Sequence, residues 1–351
     1  MQGVNRINQC TMILTRACNL RCKFCYAQQA GYDNNERMSL PDAEKIVDFC
    51  REAKVKYIVF TGGEPLFYPD LHALLVYIHE QAPDIQTAIP TNGVLLSNAA
   101  LCKKLLREGV QYFDISLKGT DPLSWQACTG ADGYASQMQA IQNLANSPVE
   151  FTVSMVITEE NVDNFCDAIR AAKNNGAKQF SFTFVIDNQE AVQKNTAYLK
   201  EHNPIMLIHK FIVQMDKLNR ITDDWWIEYS FPLCFYTEAQ LRCLKGRLAS
   251  PCQIHTRDAV TFDMKMNLLP CDMYIGQSIG TLGRDFTNFA EFVQYADRPE
   301  YNRKIDELNN LPSAECQNCQ YLQACLGGCP VIWKNYSFAD VQACQENWQN
   351  N

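Results

Sequence analysis

The sequence predicts an α/β fold: a parallel sheet made by about six strand–helix repeats, followed by a small cysteine-rich module. Three observations lead there. Short apolar runs alternate with amphipathic stretches from residue 9 to about 187. From 252 to 344 the predicted strands shorten and Gly and Pro increase. Cysteine is in excess, with 17 in 351 residues, and many of these sit at close, regular spacings.

Taken in order, the predicted strands are Cys10–Leu14, Tyr57–Phe60, Gln86–Ile89, Tyr112–Leu117, Phe151–Ile157 and Gln179–Val185. Each is rich in Val, Ile, Phe or Thr, as buried parallel strands are. The predicted helices lie between them. Leu40–Ala53 opens on Ser39 as an N-cap with Pro41 in the first turn. Pro69–Glu80, Ala99–Glu108, Ala135–Ala145 and Val162–Asn174 follow. Strand then helix, repeated, reads as a parallel sheet with right-handed crossovers. Pattern alone leaves open whether the sheet is flat or curled into a barrel. Residues 188–250 break the rhythm: Pro204–Leu218 looks helical, whereas Asp223–Trp226 and Phe231–Tyr236 are aromatic without period. The expected organisation is a barrel-type domain over 1–187, a partly helical connector over 188–250 and a metal-organised module over 251–351.

Composition narrows the function. A net charge of −8 and a pI near 5.2 argue against nucleic-acid binding through a basic face and against a polybasic membrane anchor. No apolar run reaches the roughly 18 residues of a transmembrane helix. Met1–Thr11 is too polar for a secretion signal. An odd cysteine count without an export signal points to reduced thiols in the cytoplasm, and so to metal rather than disulfides.

Cys18-Asn-Leu-Arg-Cys22-Lys-Phe-Cys25 directly follows the first strand. Three thiolates within eight residues can hold one face of an iron–sulfur cube and leave one iron open. A closed zinc site takes four ligands, so a zinc knuckle would need a distant fourth. Gly62-Gly63-Glu64-Pro65 follows the second strand, Thr91-Asn92-Gly93 ends the third, and Ser116 lies near the end of the fourth. In α/β barrels the loops at these strand ends build the active site.

The C-x3-C-x-aromatic-C spacing, with Phe24 as the aromatic, resembles the signature of radical S-adenosylmethionine (SAM) enzymes. The resemblance implies a partial (β/α)6 barrel of TIM-like type. It implies a [4Fe–4S] cluster on Cys18, Cys22 and Cys25, with SAM chelating the open iron. Phe24, Gly62, Gly63, Glu64, Asn92 and Ser116 become the SAM-binding residues. Glu64 is then expected at the SAM amino group and Ser116 at its ribose. A one-electron donor such as flavodoxin or ferredoxin would drive cleavage of SAM to a 5′-deoxyadenosyl radical, which abstracts a hydrogen atom from the substrate. The five histidines show no pairing that suggests a competing hydrolytic site.

Cys252-x18-Cys271, Cys316-x2-Cys319-x5-Cys325-x3-Cys329 and Cys344 form the second array. It resembles the SPASM extension of radical SAM enzymes, which holds two auxiliary [4Fe–4S] clusters; a pair of zinc sites is the alternative. The resemblance assigns Cys252, Cys271 and Cys329 to the first auxiliary cluster. It assigns Cys316, Cys319, Cys325 and Cys344 to the second. Met266 stands where the family usually has Gly. The first cluster lacks a fourth ligand; Cys243 is the first choice, before Cys234, Asp258, His255 or none. Of the remaining thiols, Cys50, Cys102 and Cys166 fall on apolar helix positions and read as core. Cys128, read in a Gly-Thr-rich loop, is a candidate hydrogen donor.

Pro270-Cys271-Asp272-x-Tyr274 is similar to the arrangement in anaerobic sulfatase-maturating enzymes. That likeness makes Asp272 a candidate general base; the alternative is a carboxylate that only braces the hairpin amides or pairs with an arginine. The expected reaction is oxidative modification of a peptide or protein side chain: dehydrogenation, thioether formation or crosslinking. Only 17 residues precede Cys18, which leaves no room for a leader-binding domain. The alternative is therefore dehydrogenation or epimerisation of a small molecule such as a sugar or aminocyclitol.

Overall fold

Six parallel strands stand in chain order: β1 (Gln9–Thr15), β2 (Tyr57–Gly62), β3 (Gln86–Thr91), β4 (Tyr112–Leu117), β5 (Glu150–Ile157) and β6 (Gln179–Phe184). The structure is a computed structural model that describes residues 6–27, 32–186, 203–228, 230–248 and 251–349. Six helices belong to the crossovers: α1 (Leu40–Glu52), α2 (Leu71–Gln81), α3 (Ala99–Arg107), α4 (Pro122–Thr129), α5 (Tyr134–Ala145) and α6 (Phe165–Asn174). Neighbours in sequence are neighbours in the sheet, so crossovers of one hand place all the helices on one face. The sheet curls around its other face as a partial barrel. Among the described residues no helix is long and apolar enough to cross a membrane.

The two faces differ in chemistry. On β4, buried Phe113, Ile115 and Leu117 point to the helices, while half-buried Tyr112, Asp114 and Ser116 alternate with them. Register continues the inner row as Ser116, Ser154, Ser181 and Trp226. The inner surface is thus polar, unlike the branched apolar layers that fill a closed barrel.

Local sequence sets the helix starts. Ser39 accepts a hydrogen bond from the Asp42 amide, with Pro41 in the first turn. Asp121 and Ser124 close a capping box on α4, which ends on Gly130 at φ +71°. Cys50, Cys102 and Cys166 are buried. The stretch expected to be one helix over 204–218 breaks at Gln214 into Pro204–Val213 and Met215–Asn219.

The aromatic stretch at 223–226 is not irregular. β7 (Trp225–Ile227) adds a seventh parallel strand beside β6. At three residues it is too short for a period to show. Trp225 is buried against Phe182 and Phe211. The start of the expected connector, through residue 202, lies outside the described residues.

At the other edge, β8 (Ala259–Phe262) pairs in parallel with β1, Gln9 opposite Ala259. β9 (Asn267–Leu269) and β10 (Gly280–Thr281) extend it antiparallel, giving ten strands in the order β10-β9-β8-β1-β2-β3-β4-β5-β6-β7. The sheet therefore runs across residue 251. Met266 takes φ +58° in the β8–β9 turn, a left-handed position that favours Gly. The turn closes nonetheless. Asp263 Oδ1 accepts from the Lys265 and Asn267 amides, each at 2.9 Å.

Candidate functional site

The loop carrying Cys18, Cys22 and Cys25 leaves the C-terminal end of β1 and rests on the end of α4. The Arg21 amide donates to Thr129 O at 2.9 Å and the Lys23 amide to Cys128 O at 3.0 Å. Beneath it, fully buried Trp125 packs with Leu20 and Cys22. Two glycines admit this indole. A Cβ on Gly133 would stand 2.3 Å from its ring, and one on Gly119 2.4 Å from its backbone nitrogen.

A buried polar chain ties this support to the strand ends. Trp125 Nε1 donates to Gln137 Oε1 at 3.1 Å. Gln137 Nε2 donates to Asn92 O at 2.7 Å and Ser116 O at 3.0 Å. Asn92 Nδ2 donates to Asn19 Oδ1 at 2.8 Å, inside the cysteine loop. Glu64 is almost fully buried and accepts from Thr91 Oγ1 at 2.6 Å, the Asn92 amide at 2.8 Å and the Leu66 amide at 3.2 Å. Burial pushes its carboxyl up, against these hydrogen bonds. Gly62 and Gly63 serve close backbone approach, because a Cβ on either would lie 2.3 Å from Thr15 O or Ala17 O. Glu64, Asn92, Ser116 and the cysteine loop thus form one hydrogen-bonded unit.

Two residues here, Lys118 and Tyr26, escaped the sequence reading, and a third, Cys128, sits on a different element from the one expected. Lys118 Nζ donates to Ser116 Oγ at 2.6 Å and lies 5.1 Å from the Phe24 ring centroid. Burial alone would lower its ammonium, but Cys22, Cys128, Cys25 and Cys18 together hold it above the usual lysine range. Cys128 lies on α4, not in a loop; the eight-residue helix is hidden by its Gly- and Thr-rich surroundings. Its thiol hydrogen-bonds Cys22 and, with help from Lys118, draws Cys22 down to about 6 despite burial. Thiolate is the form that binds metal. Tyr26 follows Cys25, and its hydroxyl lies 3.3 Å from Thr61 Oγ1 and hydrogen-bonds Asp272. Burial raises the Asp272 carboxyl, opposed by Tyr26 and local amides. A cavity of about 230 Å³ lies here, lined by Tyr26, Gly62, Gly63, Met264, Lys265 and Ile275 among others. One phenol therefore joins the loop of the first cysteines to the residue after Cys271.

On the inner face, Asp114 is raised to about 7, first by burial and then by Glu228, against a hydrogen bond from Ser154. Glu228 itself is exposed, so solvent screens its charge and burial is the larger cause. A carboxyl raised in the fold binds its proton more tightly there than in the unfolded chain. Its favourable contribution is complete below about pH 4 and lost as pH rises through about 7. Asp114→Asn should therefore gain on wild type in anaerobic thermal unfolding as pH goes from 5 to 7.5. A constant difference across that range would count against this.

The C-terminal cysteines gather in two places. Cys252 hydrogen-bonds Cys329, and Cys271 lies close to both. Cys316, Cys319 and Cys325 line a second cavity of about 430 Å³, together with Cys234. Cys344 accepts a hydrogen bond from Asn203 Nδ2 at 3.4 Å. Among the candidates for a fourth ligand to the first group, Cys243 is exposed at the end of helix Glu238–Cys243. His255 Nε2 donates to Gly328 O at 2.7 Å, and Asp258 accepts from Asn8 Nδ2 at 3.1 Å. Among the described residues no three His, Cys, Asp or Glu side chains are placed to hold a single metal ion. The thiols of Cys316, Cys319 and Cys325 around one cavity suit an iron–sulfur cube.

Residues 12–184 match the radical SAM superfamily. This stretch of the chain carries a radical SAM domain. The fold of the chain as a whole is shared with solved structures that extend beyond this domain. It superposes on Streptococcus suis SuiB bound to the precursor peptide SuiA with a TM-score of 0.72, at 17% identity, over 95% of this chain and 74% of that one. It superposes equally, at 0.72 and 18% identity, on anSMEcpe with bound AdoMet and the Cp18Cys peptide, over 98% and 96% of the two chains. At these identities the likeness concerns the fold. In sequence, an AdoMet-dependent heme synthase of Nitratidesulfovibrio vulgaris is 28% identical over 165 residues, 47% of this chain and 44% of that protein. A probable GTP 3′,8-cyclase of Methanococcus maripaludis is 32% identical over 138 residues, 39% and 45% of the two chains. The chain thus matches less than half the length of each of these relatives.

Proposed function

We propose that this enzyme oxidises a side chain of a peptide or protein, using SAM and three [4Fe–4S] clusters, one at Cys18, Cys22 and Cys25 and two auxiliary. The observation that carries the reading is the Tyr26–Asp272 hydrogen bond. It sets a half-buried carboxylate between the loop of the first cysteines and Cys271, beside a cavity. When bound, SAM and the first cluster supply a 5′-deoxyadenosyl radical that removes a hydrogen atom. The protein's part is placement and proton handling. The unit of Glu64, Asn92 and Ser116 holds the SAM end of the site, with Lys118 adding positive charge. Asp272 accepts the proton that the substrate side chain loses, Tyr26 orients it, and the remaining electron would pass to an auxiliary cluster. Cys128, placed against Cys22, would donate hydrogen only in a redox-neutral epimerisation, because an oxidation has no step for such a donor. Cys252, Cys271 and Cys329 hold the first auxiliary cluster, and Cys316, Cys319 and Cys325 the second. The fold likeness to two peptide-bound enzymes supports a peptide substrate. Seventeen cysteines, none in a disulfide, suit a reducing cytoplasm and a flavodoxin- or ferredoxin-type donor.

The polar inner face, with Ser116, Ser154, Ser181 and Asp114, favours a second reading, a hydroxyl-rich small molecule. One experiment separates the two. The reconstituted enzyme is given SAM, dithionite and a peptide encoded beside its gene. The expected product is that peptide lighter by a pair of hydrogens, with 5′-deoxyadenosine formed in step. In Asp272→Asn the peptide change should fall by about 100-fold or more, while 5′-deoxyadenosine still forms. An unaltered peptide, with deuterium passing from a labelled sugar into 5′-deoxyadenosine, would overturn the peptide reading.

A further inference from the structure

We propose that Cys234 is the fourth thiolate of the second auxiliary cluster, joining Cys316, Cys319 and Cys325 in place of Cys344. The inference rests on the reading that a second auxiliary cluster is bound.

Four sulfur-bearing residues line the same cavity of about 430 Å³: Cys234, Cys316, Cys319 and Cys325. Three are close in sequence, and the fourth comes from a turn more than 80 residues earlier. That turn is fixed independently of any cluster. Leu233–Phe235 forms a 3-10 turn, closed by the Phe235 amide on Pro232 O at 2.9 Å. The Cys329 amide donates to Ser230 O at 2.8 Å. Gly328 packs so tightly on Pro232 that a Cβ there would lie 2.6 Å from the proline nitrogen. The segment bearing Cys234 is thus clamped to the segment bearing Cys329.

The surrounding bonds agree. The Leu233 amide donates to Cys325 Sγ at 3.3 Å, the kind of N–H···S contact that tunes iron–sulfur clusters. Gln345 Nε2 donates to Cys234 O, fixing the backbone of the turn against the C-terminal helix Phe338–Gln349. Cys234 is half-buried and lines this cavity with Cys316, Cys319 and Cys325.

Cys344 is placed differently. It does not line the cavity. Its sulfur takes a hydrogen bond from Asn203 Nδ2. Asn203 cannot swing freely, because its Oδ1 caps helix Pro204–Val213 by accepting from the Ile205 and Met206 amides at 2.9 and 3.3 Å. Cys344 thus sits by this cap and outside the cavity that Cys234 shares with the three other thiols.

The test uses the full chain with Cys18, Cys22 and Cys25 changed to Ala, so that only auxiliary clusters remain. Cys234→Ala and Cys344→Ala are added separately, and each protein is reconstituted anaerobically. Iron, sulfide and the electron paramagnetic resonance spectrum of the reduced protein are read, with circular dichroism as the check on folding. Cys234→Ala should lose about four of about eight irons, or displace one of the two cluster signals at unchanged iron. Cys344→Ala should keep both the iron and the spectrum. Cys234→Ser, which keeps an oxygen ligand and the packing, should retain iron but still displace the signal. A change in Cys344→Ala, alone or equal to that in Cys234→Ala, overturns the assignment. If the parent with three alanines holds only about four irons, the second cluster is absent, and the reading beneath the proposal falls with it.

Discussion

Phe49→Ala is expected to cost about 3–5 kcal/mol of stability and to loosen the barrel and the C-terminal hairpin together. Phe49 sits on α1 with 1% of its surface exposed. Its ring meets Phe262 of β8 at 5.6 Å and 81°, an edge-to-face contact. Phe286, Phe289 and Phe292 surround it at 6.0, 5.9 and 5.6 Å. Each such pair contributes about 0.5–1.5 kcal/mol beyond area burial. Truncation leaves a cavity whose walls come from both halves of the chain, so neither half can collapse into it alone. Anaerobic urea unfolding followed by fluorescence should give one transition, shifted as a whole. Two transitions, with only one displaced, would show that the halves unfold separately. Phe67→Ala is the control. Phe67 is 41% exposed, and its loss should move stability by about 0.5 kcal/mol or less.

Gln137→Leu is the second large effect. This fully buried amide serves four groups at once: Trp125 Nε1, the Lys118 amide, Asn92 O and Ser116 O. Leucine fills much the same volume and satisfies none of them. A buried polar group without a partner costs about 1–3 kcal/mol, so a total loss of about 3 kcal/mol or more is expected. The damage lands on one place. Asn92 also holds Asn19, and Trp125 supports Leu20 and Cys22. The variant should therefore bind less iron at Cys18, Cys22 and Cys25 even at temperatures where it stays folded. Gln137→Glu separates the two roles. It keeps the acceptor for Trp125 and removes the donor to Asn92 and Ser116, so its iron should fall between wild type and the leucine variant. Full iron in Gln137→Leu would show that the network does not position the loop.

Much of this architecture is legible in the sequence because it is local. The six long strands repeat an apolar run, and their ends fall within a residue or two of the expected positions. Ser39 and Pro41 announce α1. β7 was not legible: three residues carry no period, and Trp225 reads equally well as a pocket aromatic. The β8–β1 pairing joins residues about 250 apart and leaves no mark in either segment. The site divides the same way. Cys18, Cys22 and Cys25 are visible as a spacing, and Glu64, Asn92 and Ser116 as strand-end residues. Gln137, Lys118, Tyr26 and Cys234 are not, because each matters through contacts across space. Lys118 had one faint signal, two residues beyond Ser116 and so on the same side of the strand. Met266 is the reverse case. The sequence flagged it as an odd residue for its place, and its left-handed backbone gives the physical reason.

The place of β1 also bears on how the protein is made. β1 lies inside the sheet, yet one of its neighbours, β8, is synthesised some 240 residues later. Until then the backbone of Gln9–Met12 presents an open edge that other strands can join. The nascent barrel is therefore vulnerable to aggregation through most of its synthesis. It becomes safe when Ala259–Phe262 arrives, the same moment at which Cys252 and Cys271 are delivered. Chaperone demand is therefore expected to last until this stretch is made, and truncations that stop short of residue 262 would be cleared by proteolysis.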